Sequence, residues 1–370
     1  MAMQIGILGA GKIGTSIATL LETAEFVDAV FLGDAQIVGQ LDGLRKTRYQ
    51  QLDIQSPDAL TRFIRSCDAM ISAAPYYLNK LIASVCANEN RSYFDLTEDV
   101  ETAAFVRELA NGKSSTFMPQ CGLAPGAVNV IGSGLARSLN TIRSLEMRVG
   151  ALPLSASNQM KYYLSWSTAG LINEYCQLGE ALYQGWRIPT TPLDGVERLT
   201  IDGVEYEAFN TSGGVATMCE TFQGQIGDLN YKTLRYPGHR DLMKFLLYDL
   251  NLNQKRDVLT QIFDQEVPLT FSDVVVIYVN SVGNDDSGLI QRSFVKKIYS
   301  CTVFGRTLSA IQLSTAAGVA AALELFARGE LPTGFVKQES VSLEQFFSTQ
   351  WGGCVYQEAE MVAPRIPMQM

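Results

Sequence analysis

Gly9, Gly11 and Gly14 follow the apolar run QIGIL directly and open the helical pattern KIGTSIATLLE. A G-x-G-x-x-G spacing between a strand and a helix leaves few folds open. The first glycine permits a tight turn, the second lets backbone approach a pyrophosphate, and the third lets helix and strand pack closely. The helix N-terminus then faces the phosphates, and Lys12 and Ile13 fall within the same cradle. Alone the motif is weakly specific, but the second apolar run, VDAVFLGD, ends in Asp34, where a carboxylate accepts hydrogen bonds from the adenosine ribose hydroxyls. Ala35 and Gln36 follow in place of an arginine for a 2′-phosphate, which favours NAD over NADP, although Arg45 and Lys46 lie close enough in sequence to reach the site. Ala73, Ala74 and Pro75 end the fourth apolar run, where small residues let a dinucleotide cross the sheet. Asp53 reads either as an adenine contact or as an N-cap before SPDALTRF.

Six short apolar runs, QIGIL, VDAVFLG, YQQLDI, DAMISAA, RSYFDL and STFMP, alternate with helical patterns up to about residue 120. This is the pattern of an α/β Rossmann-type, doubly wound parallel sheet, assigned to residues 1–124. Beyond the APG at 124–126 the segments lengthen. VERLTIDGVEYEAF turns at Asp-Gly, and DVVVIYVNSVGNDDSGLIQRSFVKKIYS reads as two long strands. Residues 125–305 are therefore expected to form a substrate domain on an open mixed or antiparallel sheet, whose edge or face could pair two subunits into a homodimer. SAIQLSTAAGVAAALELFARG reads as one helix within a third region, 306–370.

With a net charge of −9, the chain offers no basic footprint for nucleic acid or an anionic membrane surface. The longest apolar run is rich in small residues and interrupted by charge, and the start reads as a strand rather than a leader. Seven scattered cysteines contain no CxxC pair and suggest neither a disulfide framework nor a metal site, which fits a reducing cytoplasm.

Several segments resemble the saccharopine dehydrogenase family: AAPYYLN at 73–79, YFDLTED at 93–99, CGLAPGAVNV at 121–130, LSWSTAGLINEY at 164–175, YEAFNTSGG at 206–214 and YKTLRYPGH at 231–239. The resemblance implies a Rossmann domain, an α/β substrate domain on an open sheet and a late helix returning to the Rossmann side. It also implies nicotinamide-dependent chemistry at the C–N bond of the ε-carbon of lysine derivatives, with L-lysine or saccharopine as substrate and allysine as product. A related amine dehydrogenase of the carboxynorspermidine type, or a non-catalytic protein that senses NAD or a metabolite, are the alternatives. Glutamate-forming members of the family carry an arginine after the SWSS element where this chain has Ala169, and NTSGG is neutral where theirs holds arginine. Each buried carboxylate needs a charged or multiply bonded partner, so these departures keep lysine-like amines in view alongside saccharopine.

Oxidising a C–N bond needs a hydride acceptor, a base for the amine proton and a group that positions water. Asp95, ending the fifth run, lies where open α/β sheets bind ligand and could orient an amine or contact the nicotinamide ribose; its other reading is a helix N-cap, which Thr97 beside the cofactor could supply instead. Cys121, with Gly122, opens CGLAPG near the nicotinamide edge as a substrate-side wall residue. Tyr76 reads as a rim hydrogen-bonder or an interdomain aromatic, and Thr211 and Ser212 of NTSGG as substrate contacts. Trp166 reads as core, and Glu174 as a cap or a partner for lysine. In YKTLRYPGH, strand alternation puts Tyr231, Thr233 and Arg235 on one face and Lys232 on the other. Arg235 is the candidate carboxylate anchor, because its fork binds carboxylate bidentately; Lys232 is a base or a solvated strand residue. His239, the one histidine, is a proton carrier or simply the first residue of a helix.

Overall fold

The computed structural model describes residues 2–36, 41 and 43–357. The glycine-rich loop joins β1 (Met3–Leu8) to α1 (Lys12–Leu21). β2 (Val27–Asp34), β3 (Thr47–Gln51), β4 (Ala69–Ser72), β5 (Ser92–Asp95) and β6 (Thr116–Met118) follow. They form one parallel sheet in the order β6-β5-β4-β1-β2-β3, with a short strand at Gly334–Phe335 added beside β6. The strand order reverses between β1 and β4, and such a reversal opens a crevice at the C-terminal ends of the strands. The central strands are covered on both faces, which is why β4 and most of β1 are buried and read as unbroken apolar runs.

The second sheet is mixed. β7 (Thr141–Pro153) runs parallel to Ile226–Arg235 and antiparallel to Asp273–Asp285, which continues as a hairpin into Gly288–Tyr299. On the far side Val204–Asn210 pairs antiparallel with Ile226–Arg235, and Glu197–Ile201 completes the hairpin through the Asp202-Gly203 turn. The helix Ala310–Ala327, capped by Ser309, packs against α1. Its length and mean hydropathy of 1.5 are those of a membrane span, contrary to the sequence reading of that run; 78% of it is buried inside this protein, so it serves as a core helix. Trp351 Nε1 donates to Leu20 O at 3.1 Å and Tyr356 Oη to Ser314 O at 2.6 Å, which ties the chain beyond this helix to both α1 and the helix.

Candidate active site

At the dinucleotide end the glycines are required by contact. A Cβ on Gly14 would lie 1.8 Å from Gly9 O, and one on Gly9 would lie 2.6 Å from the Ala73 backbone, whereas Gly11 faces open space. The strand, loop and helix are thus packed to the limit behind a free face where a pyrophosphate fits. Asp34 closes the loop, accepting from Ala10 N at 2.6 Å. Its register partner on β3 is Gln51, while Lys46 lies beyond the other end of β3 with its ammonium on Ala24 O at 2.7 Å, and Glu22 gathers the backbone N–H groups of Arg45, Lys46 and Thr47. Lys46 is therefore held away from Asp34. Asp53 is exposed and accepts from Gln55 N within its own turn; Ser56 occupies the helix N-cap position. These residues fit a dinucleotide.

From Ile13 and Ala73, Ala74, Pro75 and Tyr76 an open cleft of about 1160 Å³ runs between the domains. Its near wall is the loop after β5 (Leu96, Thr97, Glu98, Asp99) and the CGLAPG loop at Gly122. Its far wall is Tyr231, Thr233 and Arg235 with Trp166 and Glu174. Strand alternation has delivered Tyr231, Thr233 and Arg235 to one pocket, and the sheet buries Arg235 to 3% exposure. Its Nη1 donates to Leu234 O at 2.8 Å and its guanidinium lies 5.3 Å from the Tyr162 ring centre and 5.9 Å from that of Tyr175, yet Nε has no partner. A buried guanidinium in a cleft wall with an unpartnered donor is equipped to take an anion.

Several sequence candidates stand elsewhere. Lys232 points to the opposite face, where its ammonium meets Glu197 at 2.7 Å in a cluster completed by Arg148; it is no base for this cleft. His239 is fully buried, with Nδ1 against Met160 O at 3.0 Å and Nε2 against Tyr175 Oη at 3.2 Å. Burial and the neighbouring Arg235 charge push its pKa down to about 3, so it neither reaches the cleft nor carries a proton near neutrality. Asp95 has no exposed surface and does not line the cleft: it accepts from Thr97 N, Gln120 N and Tyr93 Oη at 3.0, 2.9 and 2.8 Å. Burial pushes it up to about 6, against the pull of those three donors. It positions the loop that carries Thr97 and Glu98, and the cap of the following helix is Asp99, not Thr97. Cys121 is likewise buried, its thiol on Met118 O at 2.9 Å and touched by Gln338, so the wall at that point is Gly122. Thr211 bonds Thr233 side chain to side chain at 2.9 Å and Ser212 N donates to Glu174 O at 3.2 Å; both support cleft residues from behind.

Two carboxyls that the sequence reading did not pair meet in the cleft. Glu98, from the Rossmann loop, and Glu174, from the helix Thr168–Glu174, come within hydrogen-bonding reach of each other beside Arg235. Glu174 is 6% exposed, and its Oε2 has no donor. Burial holds both above the ordinary carboxylate range. For Glu98 the effect is reinforced by repulsion from Glu174 and by acting as the donor between them; for Glu174 it is opposed by that bond and by Arg235. The sequence signal was slight: Glu174 is the one acidic residue of LINEY, but Glu98 is one of three in YFDLTED. Nothing along the chain reveals that the two touch.

A doubly wound sheet with a glycine-rich phosphate cradle, opening on an interdomain cleft with a buried cation and acidic groups, defines a nicotinamide-dinucleotide oxidoreductase of two-domain build. Residues 5–116 match the model of the saccharopine dehydrogenase NADP binding domain and residues 122–350 that of the saccharopine dehydrogenase C-terminal domain. The chain belongs to the saccharopine dehydrogenase family. Its fold is similar to that of apo saccharopine dehydrogenase (L-Glu forming) from Saccharomyces cerevisiae, with a TM-score of 0.74 at 14% identity over 93% of this chain and 95% of that one. DAP dehydrogenase from C. glutamicum, in complex with DAP, matches more loosely, with a TM-score of 0.47 at 11% identity over 93% and 95%.

Proposed function

We propose that this protein is an NAD-dependent dehydrogenase that oxidises the C–N bond at the ε-carbon of L-lysine or saccharopine, through an imine, to allysine. The observation that carries the reading is Arg235. It is buried, has an unpartnered Nε, and is the single cationic side chain among the described residues lining the cleft. One guanidinium serves one carboxylate, which suits lysine better than a tricarboxylate such as saccharopine. The dinucleotide supplies the hydride acceptor. The chain's own residues must orient the amine, remove its proton and admit water, and the cleft provides polar groups for this at Thr97, Glu98 and Glu174. Asp34, followed by Ala35 and Gln36 with Lys46 held at the far end of β3, supports NAD over NADP.

The test is absorbance of reduced nicotinamide on mixing the protein with NAD or NADP and with L-lysine or saccharopine. Turnover with L-lysine and NAD, exceeding that with saccharopine, is expected. No reduction with either amine under either cofactor would refute the reading.

A further inference from the structure

Glu98 and Glu174 come from different domains and meet in a space shaped for them. A Cβ on Gly170 would stand 2.7 Å from Glu98 Oε1, and one on Gly213 would stand 2.6 Å from Glu98 O and 2.8 Å from Glu98 Cβ. Glycines in the WSTAGLINEY and NTSGG segments therefore leave room for this one side chain to enter the second domain. The groups facing the pair are Asp99, Tyr162, Tyr175, Tyr231 and Arg235. Asp99 caps the helix Val100–Leu109 through Thr102 N at 2.8 Å, where the N-terminal end of the helix dipole partly offsets its charge, and Arg235 is the cation beside the pair.

Charge balance then sets the protonation of the cluster. With both glutamates ionised, the group of buried Arg235 and Glu174 with half-buried Glu98 is a net anion; with both protonated it is a net cation. One proton makes it neutral, and neutrality is the arrangement that a poorly solvated site favours. Glu174 and Arg235, each with one unpartnered polar atom, line the same cleft. A substrate that sets one carboxylate on Arg235 and its reacting ammonium on Glu174 adds no net charge at these positions.

We propose that Glu98 and Glu174 are a one-proton carboxyl pair that serves as the acid–base of the site. This rests on reading the cleft as a place where a C–N bond is oxidised. In the first step an N–H bond of the substrate ammonium breaks and its proton passes to Glu174, freeing the nitrogen lone pair. Hydride leaves the carbon for the dinucleotide as that lone pair forms the C=N bond. The pair releases that first proton to solvent before water adds to the carbon. It then accepts one proton from the water and returns it to nitrogen; as the C–N bond breaks and the C=O bond forms, the hydroxyl gives up its remaining proton to the pair, which passes it to the leaving amine or ammonia. The sum is amine cation, NAD and water giving aldehyde, ammonium product, reduced dinucleotide and one proton. Glu98, held to Glu174, relays the proton between the two positions.

Glu98→Gln and Glu174→Gln test this, with melting temperature and NAD affinity confirming the fold. The isosteric amides keep a hydrogen bond but cannot pass a proton. For each we expect kcat to fall by roughly 10²- to 10⁴-fold, the usual worth of acid–base catalysis. Substrate KM should stay within a few-fold in Glu98→Gln and rise in Glu174→Gln, which also loses the contact to the substrate ammonium, and in both the pH limb of kcat seen in the wild type should disappear. An infrared titration of the unliganded protein should show one protonated-carboxyl band near neutral pH, absent from Glu98→Gln. If the wild type turns over and either variant keeps kcat within threefold with an unchanged pH limb, the pair is overturned while the proposed reaction stands. If the wild type oxidises none of the amines, the proposed reaction and the catalytic role fall together, and the infrared band alone reports whether the one-proton pair exists. Absence of that band overturns it.

Discussion

Replacing Arg235 by methionine separates substrate recognition from stability. The guanidinium has 3% exposure, one bond to Leu234 O and an Nε with no partner, so in the free protein it is a buried charge only partly satisfied. Methionine fills much of the same volume, can pack against the Tyr162 and Tyr175 rings, and leaves no donor behind. Relief of an unsatisfied buried donor recovers about 1–3 kcal/mol, but the variant also strips Glu174 of its counter-charge, and removing one partner of a buried ionic group costs about 3–5 kcal/mol. The melting temperature should therefore fall by a few degrees near neutral pH. The effect on substrate is separate from this. A bidentate contact is two charge-assisted bonds, each worth about 1.5 kcal/mol at the low end, and about 3 kcal/mol is roughly a hundredfold in KM at about 1.4 kcal/mol per tenfold. NAD affinity, governed by the cradle around Gly9–Gly14, should not move. The assay is steady-state KM for the amine, NAD binding by fluorescence titration and differential scanning fluorimetry, with Lys232→Met as the control on the opposite face of the same strand. A KM within threefold of wild type would remove Arg235 from the site. A loss of NAD binding parallel to the fall in melting temperature would show that the arginine is a structural member of the sheet.

Gly14→Ala should lose NAD binding by at least tenfold, about 1.4 kcal/mol, because a Cβ 1.8 Å from Gly9 O forces the phosphate loop to move; wild-type affinity in isothermal titration would contradict that packing. His239→Gln should flatten the acid side of the stability curve. With a pKa of about 3 in the fold against 6.5 when unfolded, His239 is neutral in the native state while the unfolded chain takes up a proton below pH 6.5. Its contribution is present above pH 6.5 and is lost as pH falls toward 3, at up to about 1.4 kcal/mol per unit. Asp95, raised from 3.8 to about 6, acts in the opposite sense over that interval, since the native state then holds the extra proton. Subtracting the variant's urea-denaturation curve from that of the wild type isolates the histidine, and parallel curves at pH 5 and 7.5 would show it is not buried neutral.

Much of the architecture was legible before any coordinates. Six of the seven strands of the first sheet fall on the six apolar runs, and the seventh, Gly334–Phe335, was not anticipated; β3 is displaced to Thr47–Gln51 where YQQLDI marks 49–54. It is an edge strand whose exposed residues carry little hydrophobic signal. The Asp-Gly hairpin, the long hairpin after Asp273 and the Ser309-capped helix were likewise written in turn chemistry and periodicity. The candidate site was only half legible. Alternation placed Arg235 in the cleft and Lys232 outside it, because a strand's period of two is a local property. His239, Asp95 and Cys121 have chemistry a site could use, yet each is sealed by neighbours that sequence spacing does not disclose: Met160 and Tyr175, Gln120 and Tyr93, Met118 and Gln338.

The sequence by itself determined the dinucleotide end, since strand, glycine loop, helix and Asp34 lie within one short stretch and their geometry follows from local backbone chemistry. It also determined the family, through motifs distributed along most of the chain. Only the tertiary structure decided the chemistry-bearing end. Glu98 and Glu174 acquire their shared reach, their burial and their common neighbour Arg235 when two domains close on one cleft. The protonation of a carboxyl depends on the charges and solvent within a few ångströms of it, and those are set by folding together segments that are remote along the chain.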